Sequence, residues 1–241
     1  MEPVEAIPGR GRVNARRIFV TVAGFLVAFL GLSVMSTLPL RWLNPVTTAF
    51  ILQDGSARSA DMRRNWTPIE SMSRHLPISV VAAEDQKFPH HHGFDFESIS
   101  QAMNENRDRP RGASTITMQL AKNLYLWPGR SLIRKGIEAW FTVLLELFIP
   151  KDRILEIYLN VVEFGPGLYG AESASRAHFG RSVSRLGAYE SALLAAVLPS
   201  PQRMSAGRPS AYVRGRAVEI QGEVRRLGGA GYLTTARPPS R

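Results

Sequence analysis

The chain has 241 residues, of which 44% are hydrophobic, enough for one domain of ordinary size with appendages. It contains no cysteine, which excludes disulfides, thiolate metal sites and thiol nucleophiles and fits an oxidising compartment. The formal charge of +10 is uneven: residues 1–17 carry +2 and residues 203–241 carry +6, and no nucleic-acid-binding signature accompanies either end.

Residues 1–17 read as a basic cytoplasmic tail. Ile18 to Leu40 follows without a charged residue. As a helix it spans about 35 Å, enough to cross a bilayer core of about 30 Å. Arg16 and Arg17 just before it put the N-terminus in the cytoplasm and the bulk of the chain outside. The run is long for a cleaved signal peptide and no small-x-small site follows it, so it reads as an uncleaved anchor. Residues 41–75, with Pro45, Gly55 and Pro68, read as a juxtamembrane linker containing a short helix or two. Trp42 and Trp66 suit either the headgroup level or a packed position.

Pro77 to Ala83 reads as a buried helix started near its proline. It leads into Glu84-Asp85-Gln86-Lys87-Phe88-Pro89-His90-His91-His92-Gly93-Phe94-Asp95. Acids set between apolar flanks are costly to bury unless they are paired or used, which makes Glu84 a candidate base. Three consecutive histidines cannot all aim at one ion in a helix or strand, which argues against a histidine metal site. Residues 97–109 read as a polar amphipathic helix, and the charged loop at 107–112 as a flap or plain surface.

Ser114 or Thr115 can cap a helix that runs to about Trp127. Thr115, Gln119 and Lys122 share a face, flanked by Ser114 and Thr117. With the free N–H groups of a helix N-terminus, that face suits an anion such as phosphate. Taken alone, it fits a capped surface helix with one solvated lysine better. After Pro128-Gly129 and Arg130, Ser131 starts a helix through Leu147. Arg134 or Lys135 can pair with Glu138, as an ordinary surface ion pair or as a carboxylate held ionised in a partly buried site. Pro150 ends that helix. Asp152 is the expected cap of the next, over 153–164, whose core stripe is Ile154, Ile157, Tyr158, Val161 and Val162. A glycine-rich turn at 165–170 and helices at 171–179 and 187–198 complete a compact region, and residues 203–241 remain as a basic tail. No strand pattern stands out, so the chain reads as mainly α, with about eight to ten helices.

Four constellations stand in order along this region. The first is Glu84, Asp85, Phe88, His91, Gly93 and Asp95. The second is Gly112, Ser114, Thr115, Thr117, Gln119, Lys122 and Asn123. The third is Arg134, Lys135 and Glu138. The fourth is Ile154, Leu155, Tyr158, Leu159, Asn160 and Gly165. A fifth, looser one runs from Ala188 to Pro199. Their order and spacing resemble the glycosyltransferase family 51 peptidoglycan polymerases, most nearly the monofunctional members of Gram-negative bacteria. Two departures are Met118, where a glutamine is common, and Ala113, where a glycine is common.

The resemblance implies a lysozyme-like, two-lobed helical domain over 76–202 behind a single N-terminal transmembrane helix at 18–40. It implies lipid II as substrate, polymerised into linear β-1,4 glycan with release of polyprenyl diphosphate by an inverting single displacement. It assigns Glu84 as general base and Glu138 as the second catalytic glutamate. Ser114, Thr115, Gln119, Lys122, Arg130, Arg134 and Lys135 are then the expected substrate contacts. Asp85, Phe88, His91, Gly93, Asp95, Asn123, Tyr158 and Asn160 are expected as structural motif residues. No cofactor is implied beyond a divalent cation, Mg or Mn, at the diphosphate, and no metal ligand is assigned. The expected partners are the growing glycan strand, the inner membrane and other cell-wall synthesis or division proteins, with the catalytic domain in the periplasm. No serine motifs of a transpeptidase module follow residue 200, so glycan polymerisation alone is expected. The rival readings are a glycan-cleaving enzyme on the same fold and an inactive membrane-tethered scaffold.

Overall fold

The computed structural model describes residues 15–55, 59–98, 100, 114–129 and 131–233. The expected loop at 107–112, most of the helix expected at 97–109, and Arg130 lie outside the described residues. The chain divides into two compact units, Met1–Ser36 and Thr37–Arg241.

The first unit holds nearly all of helix α1 (Ala15–Thr37). Its large side chains, from Ile18 and Phe19 to Met35, are exposed around the whole helix. The stretch Arg16–Arg41 is long and apolar enough to cross a membrane.

The second unit is almost wholly helical. Its α-helices are α2 (Ala49–Gln53), α3 (Ser59–Arg64), α4 (His75–Glu84), α5 (Ile116–Tyr125), α6 (Leu132–Phe148), α7 (Lys151–Val161), α8 (Ala171–Phe179), α9 (Ala188–Val197) and α10 (Ala211–Arg226). With α1, this is the mainly helical class expected from the sequence. The core sits round α4 and α9. Every residue from Leu76 to Ala82 and from Ser191 to Val197 is buried. A helix without a polar face has to be enclosed, and these two pack on each other. α5 packs on α6 and α7, completing the walls around the C-terminal end of α4.

α7 buries its eight residues from Ile154 to Val161, including the polar Glu156 and Asn160. Both are paired, as buried polar groups must be. Glu156 accepts from the Ile69 N–H at 3.0 Å and pairs with Arg153. Asn160 Nδ2 donates to the Thr67 carbonyl at 2.9 Å, and its Oδ1 accepts from the Thr67 N–H at 2.9 Å.

Four expectations are corrected. The segment 41–75 is no free linker, because Arg153 donates to the carbonyls of Leu40 and Leu43, Gln53 to that of Leu126, and Asn160 holds Thr67. α7 starts at Lys151 with Pro150 as its N-cap, so Asp152 lies in the first turn instead of capping it. The glycine-rich turn closes a short antiparallel hairpin, β1 (Glu163–Gly165) with β2 (Leu168–Tyr169). Pro166 followed by Gly167 at φ 67° suits a tight turn there, and strands this short leave no alternating pattern to read. Residues 203–233 are not a free tail. α10 seats Val213, Ala217 and Ile220 against α9 and α4.

Asn160→Ala leaves both the N–H and the carbonyl of Thr67 without their partner. It should lower unfolding stability by about 2 kcal/mol, measurable as an earlier chemical denaturation midpoint.

Candidate active site

Glu84 is the last residue of α4, where the helix gives way to the motif segment. Its carboxylate accepts from Gln119 Nε2 at 2.9 Å. Gln119 Oε1 accepts from the Tyr158 hydroxyl at 2.8 Å. One amide on α5 is therefore held at both ends, between a buried phenol on α7 and the candidate base on α4. The carboxylate settles which way the amide faces, since it only accepts and so takes the Gln119 nitrogen, leaving the amide oxygen to the phenol. Glu84 is ringed by protein yet keeps part of its surface open to solvent.

Asp85, beside it, turns the other way and is buried. It accepts from His91 Nε2 at 2.9 Å and from the Ile116 N–H at the start of α5 at 2.9 Å. His91 Nδ1 in turn accepts from the Gly93 N–H at 3.1 Å, which leaves the ring proton on Nε2, facing Asp85. Thr115 caps α5, its hydroxyl accepting from the Met118 N–H and donating to the Gly93 carbonyl at 2.6 Å. Gly93 has φ 84°, and a Cβ there would lie 2.7 Å from Thr142 Cγ2. Only glycine lets the segment pass this close to α6.

Across the site, Glu138 on α6 is 3% exposed. Its carboxylate accepts from Arg134 Nη1 at 3.1 Å and is paired with Lys135 Nζ. The carboxylate is buried and Arg134 largely so, while Lys135 reaches it from an exposed position; leaving a buried carboxylate without Arg134 is costly. The Nε of Arg134 is buried and has no hydrogen-bond partner among the described residues. Lys122 on α5 is half-buried and stands 5.5 Å from the centre of the Phe50 ring. Both glutamates, 54 positions apart, act electrostatically on Lys122.

A sequence profile described as Transglycosylase matches residues 53–224. The chain belongs to the transglycosylase family. It is 50% identical over 229 residues, 91% of this chain and 93% of the relative, to a biosynthetic peptidoglycan transglycosylase of Xanthomonas campestris pv. campestris (strain B100). It is 46% identical over 230 residues, 92% and 95% of the two chains, to a protein of the same name from Stutzerimonas stutzeri (strain A1501). A third, from Pseudomonas putida (strain W619), is 49% identical over 226 residues, 91% and 92% of the two chains. Membership of this family makes the chain a glycosyltransferase.

The structure of this transglycosylase brings Glu84, Gln119, Lys122, Arg134, Lys135 and Glu138 into one electrostatic neighbourhood. It turns Thr115 inward as a buried cap, with its hydroxyl engaged by backbone, and leaves Ser114 half-buried just before that cap. Gln119 faces the base. Phe88 is buried, and Asp95 caps the short helical turn that follows it by accepting from the Ser98 N–H at 3.0 Å. Asn123 is buried on α5. His91 alone of the three histidines joins the Asp85 network, and no group of three metal-ligating side chains is present among the described residues. Phe50 beneath Lys122 and Arg216 beside Glu84 were missed, since neither stands in a motif.

Burial pushes the Glu84 carboxyl up from its ordinary value. The Gln119 hydrogen bond, then the charges of Arg216 and Lys122, pull it back down, while Asp85 adds to the rise. Burial likewise lowers Lys122, opposed by the charge of Glu138 and reinforced by Arg134 and Lys135. Burial and the neighbouring charges of Glu84 and Asp85 raise Tyr158 far up, so it stays a donor.

Gln119→Ala removes a hydrogen bond that favours the ionised carboxylate, so Glu84 should keep its proton to higher pH. The acid limb of the kcat/KM profile should move up by about one pH unit, as read from initial rates across pH.

Proposed function

We propose that this transglycosylase polymerises lipid II, a disaccharide-pentapeptide on a polyprenyl diphosphate, into linear β-1,4 glycan strands of peptidoglycan. The observation that carries the reading is a pair of glutamates in different settings: Glu84, partly open to solvent and held by the Gln119 amide, and Glu138, buried and held by the cations Arg134 and Lys135. The reaction needs these two environments side by side. The peptidoglycan in the names of the relatives supports the substrate class.

A sugar hydroxyl is a poor nucleophile at neutral pH and needs a general base. Glu84 takes the proton from the acceptor's 4-hydroxyl as that oxygen bonds to the donor's anomeric carbon. The bond from that carbon to the diphosphate oxygen breaks, and its electron pair leaves with the diphosphate. One displacement inverts the α-linked donor to a β-1,4 link. The departing charge meets Lys122, Arg134 and Lys135. Glu138 orients Arg134 and Lys135, keeping both cations at the same point. The unpartnered Arg134 Nε is a further donor, and a diphosphate oxygen reaching it removes a desolvation cost of about 1–3 kcal/mol. Arg130 is the remaining expected cation. The donor set among the described residues does not fit a resident divalent ion, which asks for several free oxygen ligands. Both oxygens of Glu138 are taken by cations, and Lys122 adds another positive charge nearby.

Two features support a site at the outer face of the inner membrane, with α1 as anchor, the N-terminus cytoplasmic and the catalytic unit periplasmic. One is α1 itself, apolar on all faces. The other is α6. Its buried residues, Glu138, Phe141, Thr142, Leu144 and Leu145, occupy one side. Leu132, Ile133, Val143 and Leu147 line the other and are 92%, 77%, 46% and 69% exposed. Water is a poor neighbour for such a stripe, and a bilayer surface is a good one. The lipid of the substrate stays in that same surface.

Glu84→Gln should cut glycan synthesis from lipid II by about 100-fold or more while leaving the circular dichroism spectrum unchanged. Gel analysis of the products decides, and long glycan at near wild-type rate would sink the assignment. Release of short fragments from finished wall would point to a cleaving enzyme instead. Leu132→Glu combined with Ile133→Glu should slow polymerisation in lipid vesicles several-fold and leave the rate in detergent near wild type.

A further inference from the structure

α10 lies outside all five motifs, yet it reaches the base. Ser210 caps it, accepting from the Val213 N–H at 3.3 Å. Val213, Ala217 and Ile220 form the face that packs on α4 and α9. Arg216, one position before Ala217, stands at the edge of that face. Its Nη2 lies 3.5 Å from the carbonyl oxygen of Ala83, the residue before Glu84. Its Nη1 donates to Glu219 at 3.0 Å.

The C-terminal end of α4 is a poor place for a carboxylate. The last carbonyls of a helix carry the negative end of its dipole and lack intrahelical donors. Here the Val81 carbonyl takes the Asp85 N–H, that of Ala82 takes the Gln86 side chain, and that of Ala83 faces Arg216. Glu84 sits on this negative end with Asp85 beside it. We infer that Arg216 is a positioning residue for Glu84: it closes the carbonyl end of α4 and sets a positive charge behind the base. The inference rests on the reading of Glu84 as the base. The chain beyond α10 braces the same segment, with the Tyr232 hydroxyl donating to the Gln86 carbonyl at 2.8 Å and its ring meeting that of His90 edge-on at 5.6 Å.

Among the described residues, the charged and titratable groups that face Glu84 are few. Asp85 adjoins it, Lys122 comes from α5 alongside the neutral amide of Gln119, Tyr158 comes from α7 behind Gln119, and Arg216 comes from α10. The buried residues of α9, Ser191 to Val197, carry no charge. From the turn after α10, Tyr232 acts mainly on the Asp85 side. Among the described residues, Arg216 and Lys122 are thus the two cations that act on the base. Arg216 is about one-third exposed, so water weakens its effect without removing it.

The test is the pH dependence of kcat/KM for glycan synthesis from lipid II by the full chain. It compares wild type, Arg216→Gln, Arg216→Lys and Glu84→Gln, with thermal unfolding as a check on fold. Neutralising Arg216 withdraws a charge that favours ionised Glu84. The acid limb of Arg216→Gln should therefore move up by about half a pH unit. Arg216→Lys should keep the wild-type limb. Arg216→Met retains the packing of the stem and gives the same reading should the glutamine variant unfold. A neutral variant whose profile superimposes on wild type overturns the inference, and so does a lysine variant that follows the neutral one. A Glu84→Gln enzyme that still polymerises removes the base reading itself. An inactive Glu84→Gln beside an unmoved Arg216→Gln limb overturns the role of Arg216 alone.

Discussion

The carboxylate of Asp85 fixes the rest of the site. It accepts a ring nitrogen from the motif segment and a backbone N–H from the first turn of α5, so three pieces of chain meet at one buried group. A carboxylate at a helix N-terminus is well placed against unpaired N–H groups and the positive end of the dipole. Because Asp85 points inward to make these bonds, Glu84 is left facing the partly open side. Two adjacent acids of similar intrinsic acidity are separated into a structural anion and a candidate base chiefly by orientation. Gly93 and Thr115 reinforce the arrangement, one by allowing close approach to α6, the other by tying the segment to the cap of α5.

The site is a balance of opposed charge effects. Burial drives Glu84 and Lys122 toward their neutral forms, and each is partly restored by neighbours of opposite sign. Glu138 stays among cations, so its side of the site is positive overall. A polyanionic leaving group entering there would favour the charged forms of Lys122, Arg134 and Lys135. Preorganised positive charge in a partly dry site stabilises developing negative charge more than water can. Glu138 is one carboxylate set against several cations, and that excess leaves the site able to receive an anion.

The family resemblance implies that Glu84, Lys122 and Glu138 share one polar site, and the structure holds Glu84 by Gln119 on the helix of Lys122 and Glu138 by Arg134 and Lys135. It differs over roles inside the motifs. Thr115 looked like a substrate contact because it shares a face with Gln119 and Lys122, but its hydroxyl is consumed by the cap and by Gly93. Tyr158 looked like core, and it is fully buried, yet its hydroxyl orients the amide that touches the base. Periodicity says which face of a helix is buried. It does not say which buried polar atom meets which partner, because that depends on helices distant in sequence.

From the sequence alone came the helical class, the apolar N-terminal helix, and helix starts at Ser114 or Thr115 and at Ser131, all of which follow from periodicity, capping chemistry and residue type and are local. The acids and cations of the site came as a set only through the family resemblance. Tertiary structure alone decided that the arginine-rich C-terminal stretch is a packed helix. The apolar face of α10 is only three residues wide and lies among charges, so composition masked it until α4 and α9 supplied a surface for it. Tertiary structure alone also brought Arg216 behind Glu84 and Phe50 beneath Lys122. Each pairing joins residues far apart in the chain, and no local preference encodes a contact that exists only once the helices have packed.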